Sequence, residues 1–396
     1  MADLLTVDEA SRLILDRVKP LASERVPLVE SAGRVLAEGA RSAVDLPPFP
    51  SSAMDGFAVR AVDTPARLPV VARIAAGHPA PVPLESGQAM AIATGDVVPD
   101  GADAVVPIEV AADDGDAVDV PSAEPGAHVR PRGGDLAKSD VVVEAGTFLR
   151  TAELAALAAA GVAEAACARR PRVALVTTGS ELRRPGETLA PGQIYDSNGV
   201  MLAAAVVSAG AVVDAHASVA DDEGEHRAVL ERGLEADVLI TSGGVSVGPH
   251  DLVRRIEAEL GVEEVFWRVA VKPGKPVSFG VRGSTLVFGL PGNPVSSLVC
   301  FELFVRPALL ALQGVRNPWP EFQPGVLGSA VRRNAERDEF LRARVRADAD
   351  GVVLEPLTGQ ESHMIARAAT ADALVLAPRG DGEIEAGSGV RYLPLR

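Results

Sequence analysis

The sequence predicts a multidomain α/β plus β protein with a central doubly wound α/β domain, and three observations carry that expectation. From Pro171 to about Gly314, apolar strand-like runs alternate with helical segments, the pattern of a mostly parallel sheet covered on both faces. Upstream, to about Arg132, short strand-like runs are separated by Gly, Pro and Asp, which reads as a small all-β module. Beyond Asn317-Pro318-Trp319-Pro320, strands and turns return as a second β module, a small barrel or a sandwich. At 396 residues the chain is long enough for two to four domains. The expected division is a small helical/linker domain of residues 1–44 plus 137–170, an inserted β domain of 45–136, an α/β domain of 171–316 and a C-terminal β domain of 317–396.

The first element is a helix. Thr6-Val7-Asp8-Glu9 is a capping box with Leu5 as staple, and Ala10, Leu13, Ile14 and Val18 recur at helical spacing until Pro20. Val26 to Val29 reads as a strand and Ser31 to Ala37 as a short helix. In the β module, Asp55-Gly56 marks a tight turn, and Val70–Ile74, Met90–Thr94, Ala104–Ile108 and Ala117–Val120 read as strands. Residues 112–116, Ala-Asp-Asp-Gly-Asp, form a hairpin signal. Taken alone, Thr94 is a turn residue. Arg130 and Arg132 near Asp135 are either a solvated charge cluster or a second phosphate site. Thr151 caps a helix ending at Gly161, and the simplest topology packs this helix against the first one.

In the α/β part, Val173–Val176, Val212–Ala217, Val238–Ile240, Val265–Val271 and Leu286–Leu290 read as strands. Ser197 caps a helix reaching Ala209, Asp221-Asp222 starts another, and Leu252, Ile256 and Leu260 mark a third. From Ala236 to Lys275 the chain has the layout of an anion site. A glycine-rich turn, residues 241–248, is followed by His250-Asp251 and then by Lys272-Pro273-Gly274-Lys275-Pro276. Glycines allow close backbone approach, turn N–H groups attract negative charge, and two lysines add fixed cations. The bland alternative is a surface loop with solvated lysines. Glu181, Asp221, Ser246, Asp251 and Ser296 all fall just beyond expected strand ends, where open α/β sheets bind ligands. In the last module, 348–351 is a hairpin turn, and His363 reads equally as a surface residue or a ligand.

Composition removes several classes. The formal net charge is −16, which argues against a nucleic-acid binder, whereas a phosphate-bearing small molecule would need local cations or a divalent metal. Cys167 and Cys300 lie far apart in apolar surroundings, which suits buried thiols and a reducing, cytoplasmic setting. No signal peptide is apparent, and the apolar run Leu286–Leu312 carries Pro291, Pro294, Glu302, Arg306 and Pro307, which argues against a membrane span. No histidine pair has metal-ligand spacing, and Walker and G-x-G-x-x-G motifs are missing.

Several segments in fixed order then carry a family resemblance. They are Ser52-Ala53-Met54-Asp55-Gly56-Phe57-Ala58-Val59, Thr94-Gly95, Gly134-Asp135, Thr178-Gly179-Ser180-Glu181-Leu182, the 241–248 turn, Lys272-Pro273-Gly274-Lys275-Pro276, and Gly289-Leu290-Pro291-Gly292-Asn293-Pro294. Over essentially the whole chain the sequence resembles the molybdopterin molybdenumtransferases of the MoeA type, related to the gephyrin E domain. The resemblance implies a four-part homodimer that inserts molybdate into adenylylated molybdopterin. Magnesium-assisted cleavage of the adenylyl bond would yield molybdenum cofactor and AMP. It also implies transient contact with the adenylyltransferase and with cofactor-accepting enzymes, and neither nucleic acid nor membrane as partner.

Carried onto matching positions, Lys272, Lys275, Arg268, Ser246, Ser296, Thr94 and Ser362 would bind substrate. Asp251, Glu181 and Asp221 would hold Mg2+ or orient the nucleophile, and oxygen ligands suit that ion. Asp55, Thr94 and Asp135 would face the partner subunit's α/β domain. Two departures stand out: Ser180 where the family often has Asp, and Arg268 where it often has Lys, a planar fork in place of a point charge. Without the resemblance, Asp221 and Asp135 read as a helix cap or a surface ion pair. Alternative functions are a scaffold of the gephyrin-E type and a molybdopterin adenylyltransferase.

Overall fold

The structure is a computed structural model that describes residues 4–75, 77–220, 222–244, 252–349 and 351–395. The chain divides into two compact units, one of Met1–Glu24, Gly33–Ala37 and Cys167–Arg396, the other of Arg25–Ala32 and Glu38–Ala166.

The larger unit holds the expected α/β sheet. Four strands run parallel in the spatial order Val212–Val219, Arg172–Thr178, Val238–Ser242 and Thr285–Leu290. Ser278–Arg282 pairs antiparallel to the last of these, and Glu263–Trp267 closes the edge. Alternation assigns the two faces. Val173, Leu175, Val238, Ile240, Leu286 and Phe288 point into one core, with Leu202 and Val206 of the helix Ser197–Ser208. Ala174, Val176, Leu239 and Val287 point into the other, with Leu230 and Leu234 on one side and Val253 and Ile256 of Leu252–Glu259 on the other.

The first helix forms where the capping box places it, Val7–Leu15, with the Glu9 carboxylate accepting the Thr6 N–H at 2.8 Å. It ends short of Pro20. Its apolar face joins the α/β core, where Ala10 and Ile14 cluster with Phe301, Phe304 and Leu309. Ala10 and Ile14 are buried among these large apolar side chains. The apolar run Pro294–Leu312 is also core. It is helical throughout, and of the described helices it is long and apolar enough to cross a membrane, yet most of it is buried inside the unit. Its middle, Phe301–Val305, is a π turn. Pro307 follows and lacks the N–H that a regular turn would give to the Leu303 carbonyl.

The C-terminal β module resolves as a barrel. Gln323–Leu327, Asp338–Asp348, Gly351–Pro356, Ala373–Ala377 and Gly389–Pro394 close into a five-stranded ring, because Asp338–Asp348 pairs with both Gly351–Pro356 and Ala373–Ala377. The two-residue strand Val271–Lys272 adds to this barrel, parallel to Asp338–Asp348 and with Lys272 opposite Glu339. The expected continuous strand Val265–Val271 is thus split between two sheets. Arg268, with φ of 77°, makes the turn between them.

The second unit contains a mixed six-stranded sheet that includes Gly56–Val59, Ala66–Arg73, Ala89–Ile92, Ala104–Pro107 and Ala117–Val120, close to the expected strands. Phe57, Val59, Leu68, Val106 and Val118 fill its core. The helix Thr151–Ala159 begins one residue earlier than a Thr151 cap implies, with Arg150 as its cap, and Glu153 accepts the Arg150 N–H at 3.0 Å. The expected helix Ser31–Ala37 does not form. A single 3-10 turn spans Leu28–Glu30, and Gly33 then turns the chain at φ 71°.

Candidate active site

Three neighbouring parallel strands end at one cavity of about 670 Å³ within the larger unit. Thr177 and Thr178 line it from one strand, Ser242, Gly243 and Gly244 from the next, and Pro291 to Pro294 from the third. A side chain cannot fill this rim at Gly243, where the chain needs bare backbone. Gly243 has φ of 98°, and a Cβ there would lie 2.7 Å from the Thr178 carbonyl oxygen. The helix Ser197–Ser208 starts at the same rim. Asp196, its cap, accepts the Gly199 N–H at 2.8 Å with Oδ1 and the Thr177 hydroxyl at 2.6 Å with Oδ2. Ser197, read from sequence as the cap, is the first helical residue.

A hydrogen-bonded network ties the three strand ends together. Asn198 Nδ2 donates to the Ser242 hydroxyl at 2.9 Å and to the Gly292 carbonyl at 2.8 Å. Ser297 donates to the Pro291 carbonyl, and Asn293 Nδ2 donates to the Ser362 hydroxyl at 2.9 Å. The Ser362 carbonyl accepts the Val295 N–H at 3.1 Å. The loop carrying Ser362 and His363 is thereby docked on the helix Pro294–Cys300. Arg342 holds it from behind. This arginine is fully buried, and it donates to the carbonyls of Gly359 at 2.7 Å and Met364 at 2.8 Å. Burial pulls its guanidinium below the ordinary arginine value.

The lysine loop lies beside this rim, with Pro276 in the cavity wall. Its turn is seated on the core: the Cys300 thiol donates to the Gly274 carbonyl at 3.6 Å. Gly274 has φ of 120°, and a Cβ there would sit 2.5 Å from Cys300 Sγ. Cys300 is buried, as is Cys167, and burial pushes its thiol far above the ordinary range. Lys272 is half-exposed and pairs at 2.9 Å with the carboxylate of Glu339, which is nearly buried. Lys275 is half-buried and its carbonyl accepts the Val269 N–H at 3.1 Å.

Glu181 lines the cavity, and Ser296 is buried one turn into the helix that starts there. Arg268 is not in the cavity wall; its guanidinium lies 3.7 Å from the centroid of the Trp267 ring, and Arg254 also lies over that ring, at 4.1 Å. Asp221, Ser246 and Asp251 lie outside the described residues. In the second unit, Asp55 accepts the Thr94 N–H at 2.6 Å, and this bond holds its carboxyl below the ordinary value. Asp135 is exposed there, and its N–H donates to the Leu46 carbonyl at 2.9 Å. Arg132 pairs with Asp45 at 2.6 Å and is largely exposed.

Sequence reasoning missed Asp196, Asn198, Asn293 and Arg342. Asp-Ser-Asn opening an apolar helix was a signal for the first two. Arg342 alternates with Leu341 and Ala343 in a strand, which gives no hint of its burial.

The fold and the site define a class: a multidomain protein whose doubly wound domain carries a ligand cavity at its strand ends, joined to a C-terminal barrel. Family models match along the chain as MoeA N-terminal region (domain I and II) over residues 5–161, probable molybdopterin binding domain over 174–311, and MoeA C-terminal region (domain IV) over 324–395. The chain belongs to the MoeA family. It is 38% identical over 406 residues to molybdopterin molybdenumtransferase 2 of Mycobacterium tuberculosis, covering 98% of this chain and 99% of that one. It is 34% identical over 401 residues to the molybdopterin molybdenumtransferase of Haemophilus influenzae, covering 99% of each. Its fold matches a molybdopterin biosynthesis moeA protein of Pyrococcus horikoshii OT3 with a TM-score of 0.85 at 28% identity, covering 99% of this chain and 100% of that one.

Proposed function

We propose that the protein transfers molybdenum from molybdate into adenylylated molybdopterin, releasing AMP. The observation that carries this reading is the pairing of a cavity at the strand ends with a rigidly seated lysine loop beside it. A tetrahedral dianion needs fixed cations and several donors in one place. Lys272 and Lys275, with Ser296 and Ser362, would supply them. The turn that carries both lysines is seated, since Gly274 is packed on Cys300 and the Lys272 strand pairs with the barrel strand that holds Glu339.

Magnesium fits the oxygen-rich donor set at the cavity, because this ion takes one or two carboxylates and completes its shell with phosphates and water. Glu181 lies in the wall, although no group of three His, Cys, Asp or Glu that could hold a metal occurs among the described residues. Glu181, with Asp221 and Asp251, would hold the ion. Bound there, it would neutralise phosphate charge during adenylyl-bond cleavage. The protein's own groups bind the two anions side by side and keep the Ser362 loop closed against the helix start.

Homodimerisation is part of the same proposal. The helix Ser197–Ser208 contains no charged residue, and Val200 and Val207 lie 58% and 59% exposed on its outer face. A second copy would cover this stripe, with Asp55, Thr94 and Asp135 of the partner serving the site. The test is Lys275→Ala. It should abolish molybdate-dependent AMP release from adenylylated molybdopterin while the protein stays folded and keeps its oligomeric state. Unchanged release would remove the lysine loop from the reaction.

A further inference from the structure

The loop that carries Ser362 and His363 is fixed by a buried charge. Arg342 is fully buried, and no carboxylate pairs with it among the described residues. Its guanidinium donates to the carbonyls of Gly359 at 2.7 Å, Glu361 at 3.3 Å and Met364 at 2.8 Å. Gln360 ties the same loop down from within, with Nε2 donating to the Arg342 and Leu357 carbonyls, both at 2.9 Å. Taking a guanidinium out of water is costly unless hydrogen bonds replace its hydration. Here three of those bonds go to the backbone of one short loop. A surface turn needs no such anchor, whereas a loop that must present a side chain in one geometry does.

Of the residues from Gly359 to Met364, His363 is the one in the cavity wall. It is exposed, and its ring has no hydrogen-bond partner among the described residues. Its neighbour Ser362 already accepts from Asn293 Nδ2 at 2.9 Å. The other ionisable groups of this wall are acidic. They are Glu181, Tyr195, whose hydroxyl donates to the Glu187 carbonyl, and Asp196, whose carboxylate is held by Thr177 and the Gly199 N–H. Asn198 gives its amide hydrogens to Ser242 and Gly292. Lys272 and Lys275 are not among the lining residues. Among the described lining residues, His363 is therefore the one that can carry positive charge, and its ring presents an N–H even when neutral. An oxyanion entering a wall that holds two carboxylates needs a donor of this kind.

We propose that the His363 ring donates a hydrogen bond to a tetrahedral oxyanion of the substrate in this cavity. This deepens the function proposed above and rests on it. Two parts of that reaction share the chemistry, the phosphate of the adenylylated pterin and molybdate, and the experiment separates them.

The test is calorimetric titration of wild type and His363→Ala with AMP, adenosine and molybdate. The expected result is that the variant binds one of the two oxyanions about tenfold more weakly, the size of one hydrogen bond to a charged group, and binds adenosine as the wild type does. The oxyanion that loses affinity identifies the source. His363→Gln, which keeps an N–H, should recover most of the loss. A second measurement uses the wild type alone: that oxyanion should slow carbethoxylation of His363 by diethyl pyrocarbonate, read by peptide mass spectrometry, and adenosine should not. If His363→Ala does not fold, this protection decides. Unchanged affinity for both oxyanions, an equal loss for AMP and adenosine, no binding of either oxyanion by the wild type, or no protection would overturn the role of His363. Molybdate-dependent AMP release from adenylylated molybdopterin, assayed in parallel, reads the reaction separately. Release by a wild type whose oxyanion affinity does not depend on His363 overturns only this inference. Absence of release, with the affinity lost in His363→Ala, overturns only the reaction.

Discussion

At the scale of single residues, the lysine loop shows why a motif and a contact are different kinds of information. The two lysines of Lys272-Pro273-Gly274-Lys275 are visible in the sequence, but the carboxylate that answers Lys272 lies on a barrel strand 67 positions on, and it is brought opposite only because Val271–Lys272 pairs with Asp338–Asp348. Glu339 holds the ammonium in place and also competes with an incoming oxyanion. Glu339→Gln should raise molybdate affinity by about tenfold at low ionic strength, the size of one Coulomb term at a few ångström in a partly screened site. Equilibrium binding at two salt concentrations measures it. A second residue-scale case is Asp237, where burial alone pushes the carboxyl up. Bonds from Arg169 at 2.9 and 2.8 Å and from the Arg172 N–H at 2.7 Å outweigh it and hold the carboxyl below its ordinary value. A lowered carboxyl contributes stability above its unfolded value and loses it as pH falls toward the folded one. Asp237→Asn should therefore cost about 2 kcal/mol at neutral pH. The gap from wild type should narrow below roughly pH 4. Urea midpoints across that range measure it.

At the scale of elements, the strand ends were legible and the turns between them less so. Continuous apolar runs gave the four parallel strands because a strand covered on both faces has no polar alternative. The segment Val265–Val271 looked like one more such run. The single residue Arg268, in a left-handed conformation, divides it between two sheets, and arginine gives no warning of that in a sequence. The short helix expected at Ser31–Ala37 failed for a similar reason, since Gly33 takes a positive φ inside it. The lysine turn depends on the same kind of local demand. Gly274→Ala would place a methyl 2.5 Å from Cys300 Sγ in a conformation alanine resists. It should destabilise the protein by about 2–3 kcal/mol and weaken oxyanion binding with it. Adding Cys300→Ala should return part of both losses, and a double-mutant cycle of unfolding free energies measures that coupling.

At the scale of the whole molecule, the proposed dimer makes a prediction that no single chain can. If the partner subunit supplies Asp55 to the site that holds Lys275, then mixing Asp55→Ala and Lys275→Ala chains should restore activity that neither variant has. Random pairing leaves about a quarter of the sites complete, so about a quarter of wild-type AMP release should return. Assaying the unfractionated mixture measures it, and mixed dimers purified by two tags should show about half of wild-type release. The sequence by itself determined the α/β class, the two β modules, the glycine and lysine motifs and the family, because these rest on periodicity, on turn residues and on short runs that stand together in the chain. Only the tertiary structure decided that the first helix belongs to the α/β core, that the last module closes into a barrel, that Arg342 holds the Ser362 loop, that Glu339 answers Lys272, and that Asn198 ties Ser242 to the Gly292 carbonyl. Each of these is a contact between residues far apart in sequence, and no local pattern can encode which distant surface a side chain will meet.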